Sequence, residues 1–190
     1  MNSTAIAPWK KRLPMQLTWA RVALCVPIAA MFFFEFQAAT WITAILFIAA
    51  SITDWFDGYF ARRFHATSTM GKFMDPIADK ILVATVLIML IPTGRIGPVV
   101  VLLLLSRDIL IGGIRSIAAA DRVIIDAKAA GKWKTAIQMI SIPAILFDAQ
   151  VFGYSVSQLG VILLWVSVIL SLISGYQYVN LYFENRKAGA

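Results

Sequence analysis

The sequence predicts an all-α membrane protein with six transmembrane helices, formed by a single domain over residues 1–190. Three observations support this prediction: 60% of the residues are hydrophobic, only 14% are charged, and the apolar residues fall in long runs. Soluble domains have about 25% charged residues, and a helix needs about 20 predominantly apolar residues to cross a bilayer. The runs cover residues 17–35, 39–61, 75–93, 97–118, 133–150 and 157–182.

The first run follows a segment that does not resemble a cleavable signal peptide. Residues 1–12 end in Lys10-Lys11-Arg12, and the apolar run after them lacks a small-residue cleavage site. With Trp9 beside these basic residues, the segment either lies along the lipid interface or forms a disordered tail. Cys25 is the single cysteine of the chain, so we expect it to be a small core residue and not part of a disulfide or a metal site.

The later runs begin or end at residues that commonly mark helix boundaries. Gly94, Gly97 and Pro98 are predicted to end the third helix and begin the fourth. The segment Gly131-Lys132-Trp133-Lys134-Thr135 opens the fifth. The aromatic residues near the predicted ends are expected to anchor the helices at the lipid interface.

Basic residues predict how these helices are oriented. If the helices alternate in direction, most basic residues near helix ends fall on one side, whereas Arg95 lies alone on the other. Cytoplasmic loops carry such an excess of Lys and Arg, so both termini are predicted to be cytoplasmic. The net charge of +7 does not indicate a nucleic-acid partner, because the basic residues form no patch with interleaved aromatics. Those on the cytoplasmic side are Lys10, Lys11, Arg12, Arg62, Arg63, Lys72, Arg122, Lys128, Lys132, Arg186 and Lys187.

Four aspartates lie within or beside the apolar runs: Asp54, Asp57, Asp75 and Asp79. A charge at the centre of a bilayer costs roughly 2.5 kcal/mol or more, so intramembrane acids are usually functional. Helical spacing places them on two stripes. The first stripe contains Asp54, Asp57, Gly58, Ala61 and Arg62, and the second contains Gly71, Asp75 and Asp79.

Converging carboxylates repel each other unless cations neutralise them. Oxygen ligands favour hard divalent ions, so Mg²⁺ or Mn²⁺ is predicted, whereas the lone His65 is predicted to be a loop residue. Two such ions can bind the oxygens of a phosphate anhydride. Arg62 can add bidentate contacts, and a remaining carboxylate can deprotonate an alcohol. The small residues on the stripes either admit a nucleotide or simply pack helices together.

Two other interpretations of the acids belong to different classes. They could form intramembrane salt bridges with neighbouring basic residues, or line the cation or proton pathway of a small transporter. The fixed pattern of glycines argues against ion pairs, and transporters usually have more spans or internal repeats. Metal-dependent binding of CMP or CDP would distinguish a nucleotide-using enzyme from a transporter.

The spacing Asp54-x2-Asp57-Gly58-x2-Ala61-Arg62-x8-Gly71-x3-Asp75-x3-Asp79 resembles the complete signature of the CDP-alcohol phosphatidyltransferase family. The segment Leu17-Thr18-x2-Arg21 is also similar to the family's N-terminal segment, without its asparagine. The resemblance implies a transferase that displaces CMP from a CDP-linked lipid. It implies that Asp54, Asp57 and Asp75 hold two divalent ions and that Asp79 acts as general base and touches the second ion. It further implies a homodimer whose cytidine diphosphate site is lined by Gly58, Ala61, Arg62 and Gly71.

The acceptor is expected to bind basic residues elsewhere in the cytoplasmic half. Arg107 and Arg115 lie on one face of the fourth predicted helix, and Lys132 and Lys134 open the fifth. Together they would suit a dianionic phosphate. The segments around them resemble bacterial family members that use CDP-diacylglycerol and sn-glycerol 3-phosphate, which implies an inner-membrane location. A cardiolipin synthase or another member with a different acceptor is the alternative within the family.

Overall fold

The computed structural model describes the backbone of residues 8–34, 37–63, 69–121, 129–147, 149–151 and 153–188. Within these ranges, it does not describe the side chains of residues 8–14, 17, 37, 54–63, 69–73, 75–76, 129–130 and 187–188. The chain divides into two compact units, Met1–Met89 and Leu90–Ala190. The predicted single domain stays a prediction.

Six helices account for most of the described residues, as predicted. They are α1 (Pro8–Met31), α2 (Gln37–Arg63), α3 (Thr69–Leu90), α4 (Pro98–Ala120), α5 (Ala129–Leu146) and α6 (Val156–Ala188). Their order and approximate positions match the six apolar runs. The ends differ: α1 begins well before the first run and α6 continues beyond the last, because a helical backbone does not need apolar side chains to continue.

In the first unit, α1 packs against α2. The buried residues of α2 include Ala39, Thr43 and Phe47, which recur every four residues along one face. On α3 the corresponding face contains Ala78, Leu82 and the residues that follow at helical spacing. The helical periodicity that groups the aspartates is therefore present in both helices that carry them.

The second unit begins with the turn that the glycines predicted. Gly94 has a positive φ of 72°, which favours glycine. Gly97 is the N-cap of α4 and Pro98 is its first residue, a position where the missing N–H of proline costs nothing. The predicted boundary at these three residues is confirmed.

Helix α5 packs along α6, and α4 also packs against α6. The fifth run was predicted to extend to residue 150, but α5 ends at Leu146. A short hairpin follows, in which Gln150–Val151 (β1) pairs antiparallel with Tyr154–Ser155 (β2). Gly153 in its turn has a φ of 81°. The predicted end of the fifth run at residue 150 was therefore wrong by a few residues. The two strands have only two residues each, which is too short to show an alternating pattern in the sequence.

One helix among the described residues is long and apolar enough to cross a membrane by itself, over Val156–Arg186. Two shorter apolar helical stretches, Thr18–Met31 and Ala38–Thr53, lie in α1 and α2. Helix α4 has a sufficient length, but Arg107, Asp108 and Arg115 interrupt its apolar sequence. Arg107 and Asp108 belong to a cluster of charged side chains that is described below.

Candidate functional site

The acidic motif lies on two helices of the first unit. Asp54 and Asp57 belong to the C-terminal part of α2, and Asp75 and Asp79 belong to the N-terminal part of α3. Because both segments are helical, the spacings of three and four residues place each pair on one face of its own helix. The side chains of Asp54, Asp57, Gly58, Ala61, Arg62, Gly71 and Asp75 lie outside the described residues.

Asp79 is the one acid of the motif whose side chain is described. It is half-buried, follows the fully buried Ala78, and interacts with at least one other group. A carboxylate in this position keeps limited contact with solvent, which suits a group that accepts a proton from a bound alcohol.

The donor set of the motif fits a hard divalent cation. All four candidate ligands are carboxylates on helical faces, and Mg²⁺ and Mn²⁺ prefer oxygen ligands. Among the described side chains no cluster of three or more acids, histidines or cysteines occurs, since three of the four aspartates are not among them. The assignment of the two metal ions to this motif remains a prediction.

The first unit also contains a buried cation that was not predicted to be a site residue. Arg21 on α1 is only 2% exposed, and Thr18, one turn before it, is also buried. A guanidinium at this depth needs polar or anionic partners, and Arg21 does interact with other groups. The segment Leu17-Thr18-x2-Arg21 was the sequence signal for it.

In the second unit, three charged side chains from two helices form a cluster. The Lys134 ammonium donates to both carboxylate oxygens of Asp108, at 2.7 Å each, and the Arg107 Nη1 donates to Asp108 Oδ1 at 3.1 Å. The side chains of Lys134, Arg107 and Asp108 are 6%, 15% and 16% exposed. We call these three residues the charge triad. It has a net charge of +1.

Helix α6 holds the guanidinium of Arg107 from the other side. Its Nε donates to the Ser171 carbonyl at 3.0 Å, and its Nη2 donates to the Ser174 hydroxyl at 2.7 Å. A Cβ on the neighbouring Gly175 would lie 3.4 Å from Arg107 Cγ and Nε, so the side chain runs directly along the α6 backbone. Arg107 therefore links α4 to α6 while Asp108 links α4 to α5.

Polar side chains continue away from the charge triad along α5 and α6. Gln138 and Ser171 are 3% and 1% exposed, and neither Gln138 Nε2 nor Ser171 Oγ has a hydrogen-bond partner in the described part of the chain. Gln138 lies one helical turn after Lys134, on the same face of α5. Buried polar atoms without partners are uncommon and point to a bound water or ligand.

The other two predicted acceptor residues lie apart from the charge triad. Arg115 is exposed, two turns after Arg107 on α4, and its guanidinium carbon lies 5.9 Å from the centre of the Tyr178 ring. Lys132 is exposed and precedes the exposed Trp133. Two of the four predicted basic residues therefore meet in one largely buried cluster, whereas Arg115 and Lys132 remain at the surface of the unit.

The partners that complete the cluster were not predicted to be site residues. Asp108 stood out only as the neighbour of Arg107, and Ser171 and Ser174 look like ordinary small residues of an apolar helix. A single acid next to an arginine in an apolar run was the available signal, since buried charges are usually paired.

Comparison with known proteins covers most of the chain. The family model described as CDP-alcohol phosphatidyltransferase matches residues 11–173. Proteins named CDP-diacylglycerol–glycerol-3-phosphate 3-phosphatidyltransferase are similar to it. The one from Rickettsia typhi is 37% identical over 88% of this chain and 95% of its own length, and the one from Bacillus subtilis is 34% identical over 92% and 97%. The chain belongs to the CDP-alcohol phosphatidyltransferase family.

Proposed function

We propose that this protein transfers the phosphatidyl group of CDP-diacylglycerol to sn-glycerol 3-phosphate, releasing phosphatidylglycerol phosphate and CMP. The observation that carries the proposal is its similarity, over nearly the whole chain, to relatives named for this reaction. The complete aspartate motif on α2 and α3 supports the transferase chemistry. The buried charge triad supports a phosphorylated acceptor.

In this proposal the aspartates would hold two divalent ions at the site of the reacting diphosphate. Asp54, Asp57 and Asp75 would hold Mg²⁺ or Mn²⁺, with Asp79 touching the second ion. When bound, these ions supply positive charge that neutralises the diphosphate and its leaving group. Gly58, Ala61, Arg62 and Gly71 would line the cytidine diphosphate site, where absent or small side chains leave room for the nucleotide.

The proposed reaction is a direct displacement. The acceptor hydroxyl attacks the β-phosphorus of CDP-diacylglycerol, a new P–O bond forms, the anhydride bond breaks, and CMP leaves. Asp79 takes the proton of the attacking hydroxyl. This role requires a carboxylate with some solvent access and polar contacts, which agrees with the half-buried Asp79.

The acceptor phosphate would bind the cations of the second unit. Arg107 and Lys134 are held beside each other by their shared partner Asp108. The bonds described for Arg107 use Nε, Nη1 and Nη2 once each, whereas a guanidinium has five N–H groups. Among the described residues, no partner is seen for the other two N–H groups, which could donate to a phosphate oxygen. Arg115 and Lys132 would add exposed positive charge that attracts the dianion.

The same proposal includes a location. Six transmembrane helices would place both termini, and with them the ends of α2 and α3 that carry the aspartates, on the cytoplasmic side of a bacterial inner membrane. The long apolar helix α6 supports insertion into a membrane. The active form would be a homodimer, as in the family that the motif resembles.

The test is CMP release by the purified, detergent-solubilised protein from CDP-diacylglycerol with Mg²⁺ or Mn²⁺. Glycerol 3-phosphate, inositol 1-phosphate, serine and phosphatidylglycerol are compared as acceptors. Release with glycerol 3-phosphate and not with the other three is the expected result. Release with phosphatidylglycerol alone would instead identify a cardiolipin synthase, and no release with any acceptor would contradict the transferase proposal.

A further inference from the structure

We propose that Asp108 is a positioning residue for the acceptor phosphate, which holds Lys134 and Arg107 in the arrangement that binds it. This inference rests on the proposed function and adds to it a residue that would not itself touch the substrate. The observation behind it is that one carboxylate oxygen, Asp108 Oδ1, accepts hydrogen bonds from both cations.

The shared oxygen fixes where two long side chains end. Lysine and arginine side chains lose considerable rotamer freedom when they are ordered, and two cations close together repel each other. Asp108 offsets both effects, since its carboxylate lies between the ammonium and the guanidinium. Because all three side chains are largely buried, water has limited access to replace the carboxylate if it is removed.

The arrangement also involves three helices. Asp108 is on α4, Lys134 is on α5, and Arg107 is held by Ser171 and Ser174 of α6. The position of each cation is therefore set by packing between helices and not by its own rotamer alone. Binding sites held in place by supporting contacts of this kind bind their ligands without first ordering flexible side chains.

Positioning and simple charge balance predict opposite results when Asp108 is neutralised. If Asp108 only weakened the positive field, Asp108→Asn would raise the net charge and tighten binding of a dianionic acceptor. If Asp108 positions the cations, the same change lets them separate and weakens binding. The sign of the change in the acceptor KM therefore decides between the two roles.

The experiment measures kcat and both KM values for CMP release by the full-length protein in detergent. For Asp108→Asn we expect the KM for glycerol 3-phosphate to rise about tenfold or more, with kcat and the KM for CDP-diacylglycerol changing less than about threefold. Asp108→Glu, which keeps the carboxylate, should restore part of the loss. An unchanged or lower acceptor KM would overturn the proposal, as would equal changes in all three parameters together with a lower Tm.

Asp121→Asn is the matched control. Like Asp108, Asp121 is an acid that ties the α4 segment to another helix: it is the C-cap of α4 and accepts a hydrogen bond from Tyr182 Oη of α6 at 3.0 Å. Unlike Asp108, it is exposed and outside the charge triad. The KM of Asp121→Asn for the acceptor should equal that of the wild type. A rise equal to that of Asp108→Asn would show a general effect of loosening α4 and would overturn the proposal.

A second variant keeps the proposal testable if Asp108→Asn does not fold. Ser174→Ala removes the hydroxyl that bonds Arg107 without altering any charge, and about a threefold rise in the acceptor KM is expected. An unchanged KM would overturn the inference.

The choice of acceptor separates this inference from the proposed function. If the wild type uses inositol 1-phosphate in place of glycerol 3-phosphate, the proposed function is wrong, and the role of Asp108 is then tested with the KM for inositol 1-phosphate. If the protein releases CMP only with acceptors that lack a phosphate monoester, both the proposed function and the inference about Asp108 are wrong.

Discussion

Arg95 donates hydrogen bonds from Nη1 to the carbonyl oxygen of Ile145 at 3.1 Å and to that of Leu146 at 3.2 Å. These carbonyls belong to the last turn of α5, where no further helical N–H is available to them. A cation at a helix C-terminus also interacts favourably with the helix dipole. Arg95 was the one basic residue on the side predicted to face away from the cytoplasm, and its contact explains why a positive charge is useful there.

Arg95→Ala should therefore destabilise the protein without changing how it binds substrates. Loss of hydrogen bonds from a charged donor should lower the free energy of unfolding by about 1–3 kcal/mol. Arg95→Lys, which keeps the charge but not the two-carbonyl geometry, should give a smaller loss. Thermal unfolding in detergent measures both variants. An Arg95→Ala protein as stable as the wild type would show that the end of α5 does not depend on this contact.

The close approach of α5 and α6 predicts a difference between two glycines. A Cβ on Gly160 would lie 2.8 Å from both the backbone nitrogen and Cγ1 of Ile145, whereas one on Gly113 of α4 meets nothing described within 4 Å. Gly160→Ala should destabilise by about 1–3 kcal/mol through overpacking. Gly113→Ala should be neutral or stabilise by up to about 1 kcal/mol, since alanine favours helix. Equal Tm values for the two variants would contradict this packing.

Asp79→Asn and Asp54→Asn should lose different properties of the enzyme. Without its base, Asp79→Asn should lose about 10²-fold or more in turnover while keeping much of its metal-dependent CMP binding. Asp54→Asn should lose metal-dependent CMP binding itself. Turnover assays, together with calorimetric titrations of CMP with and without Mg²⁺, distinguish the two variants. Wild-type turnover by Asp79→Asn would remove its assignment as the base.

Removal of divalent cations should stop the reaction reversibly. Treatment with EDTA is expected to abolish CMP release, and added Mg²⁺ or Mn²⁺ should restore it, because the carboxylate ligands suit hard cations. Unchanged release after exhaustive EDTA treatment would argue against the metal assignment. The Tm measured in parallel shows whether EDTA has simply unfolded the protein.

Arg107 and Arg115 should contribute unequally to acceptor binding. The Arg107 side chain is only 15% exposed and is held by Asp108 and by two serines of α6, whereas Arg115 is exposed over Tyr178. Arg107→Ala should therefore raise the KM for glycerol 3-phosphate about tenfold, and Arg115→Ala should raise it less and in a more salt-sensitive manner. Neither should alter the KM for CDP-diacylglycerol as much. If neither variant changed the acceptor KM or kcat, the acceptor would bind elsewhere.

The sequence alone determined the helical architecture, the boundary at Gly94, Gly97 and Pro98, and the family. Helices and their boundaries depend mainly on residues close together in the chain, and the aspartate motif lies within residues 54–79, so both can be recognised from spacing. The positions of the helix ends did not follow from the apolar runs. Apolar runs indicate where side chains avoid water, but the backbone hydrogen bonds of α6 continue through the polar residues up to Ala188.

The tertiary structure decided which charged residues meet. Asp108 and Lys134 are 26 residues apart, and Arg107 and Ser174 are 67 apart, so no spacing rule within one helix relates them. From the sequence, four basic residues were predicted to bind one phosphate. Packing of α4, α5 and α6 brings two of them together with an acid and leaves Arg115 and Lys132 exposed. The physical reason is that a buried charge must find its partner across helix interfaces, and only the packed helices specify which partner is within reach.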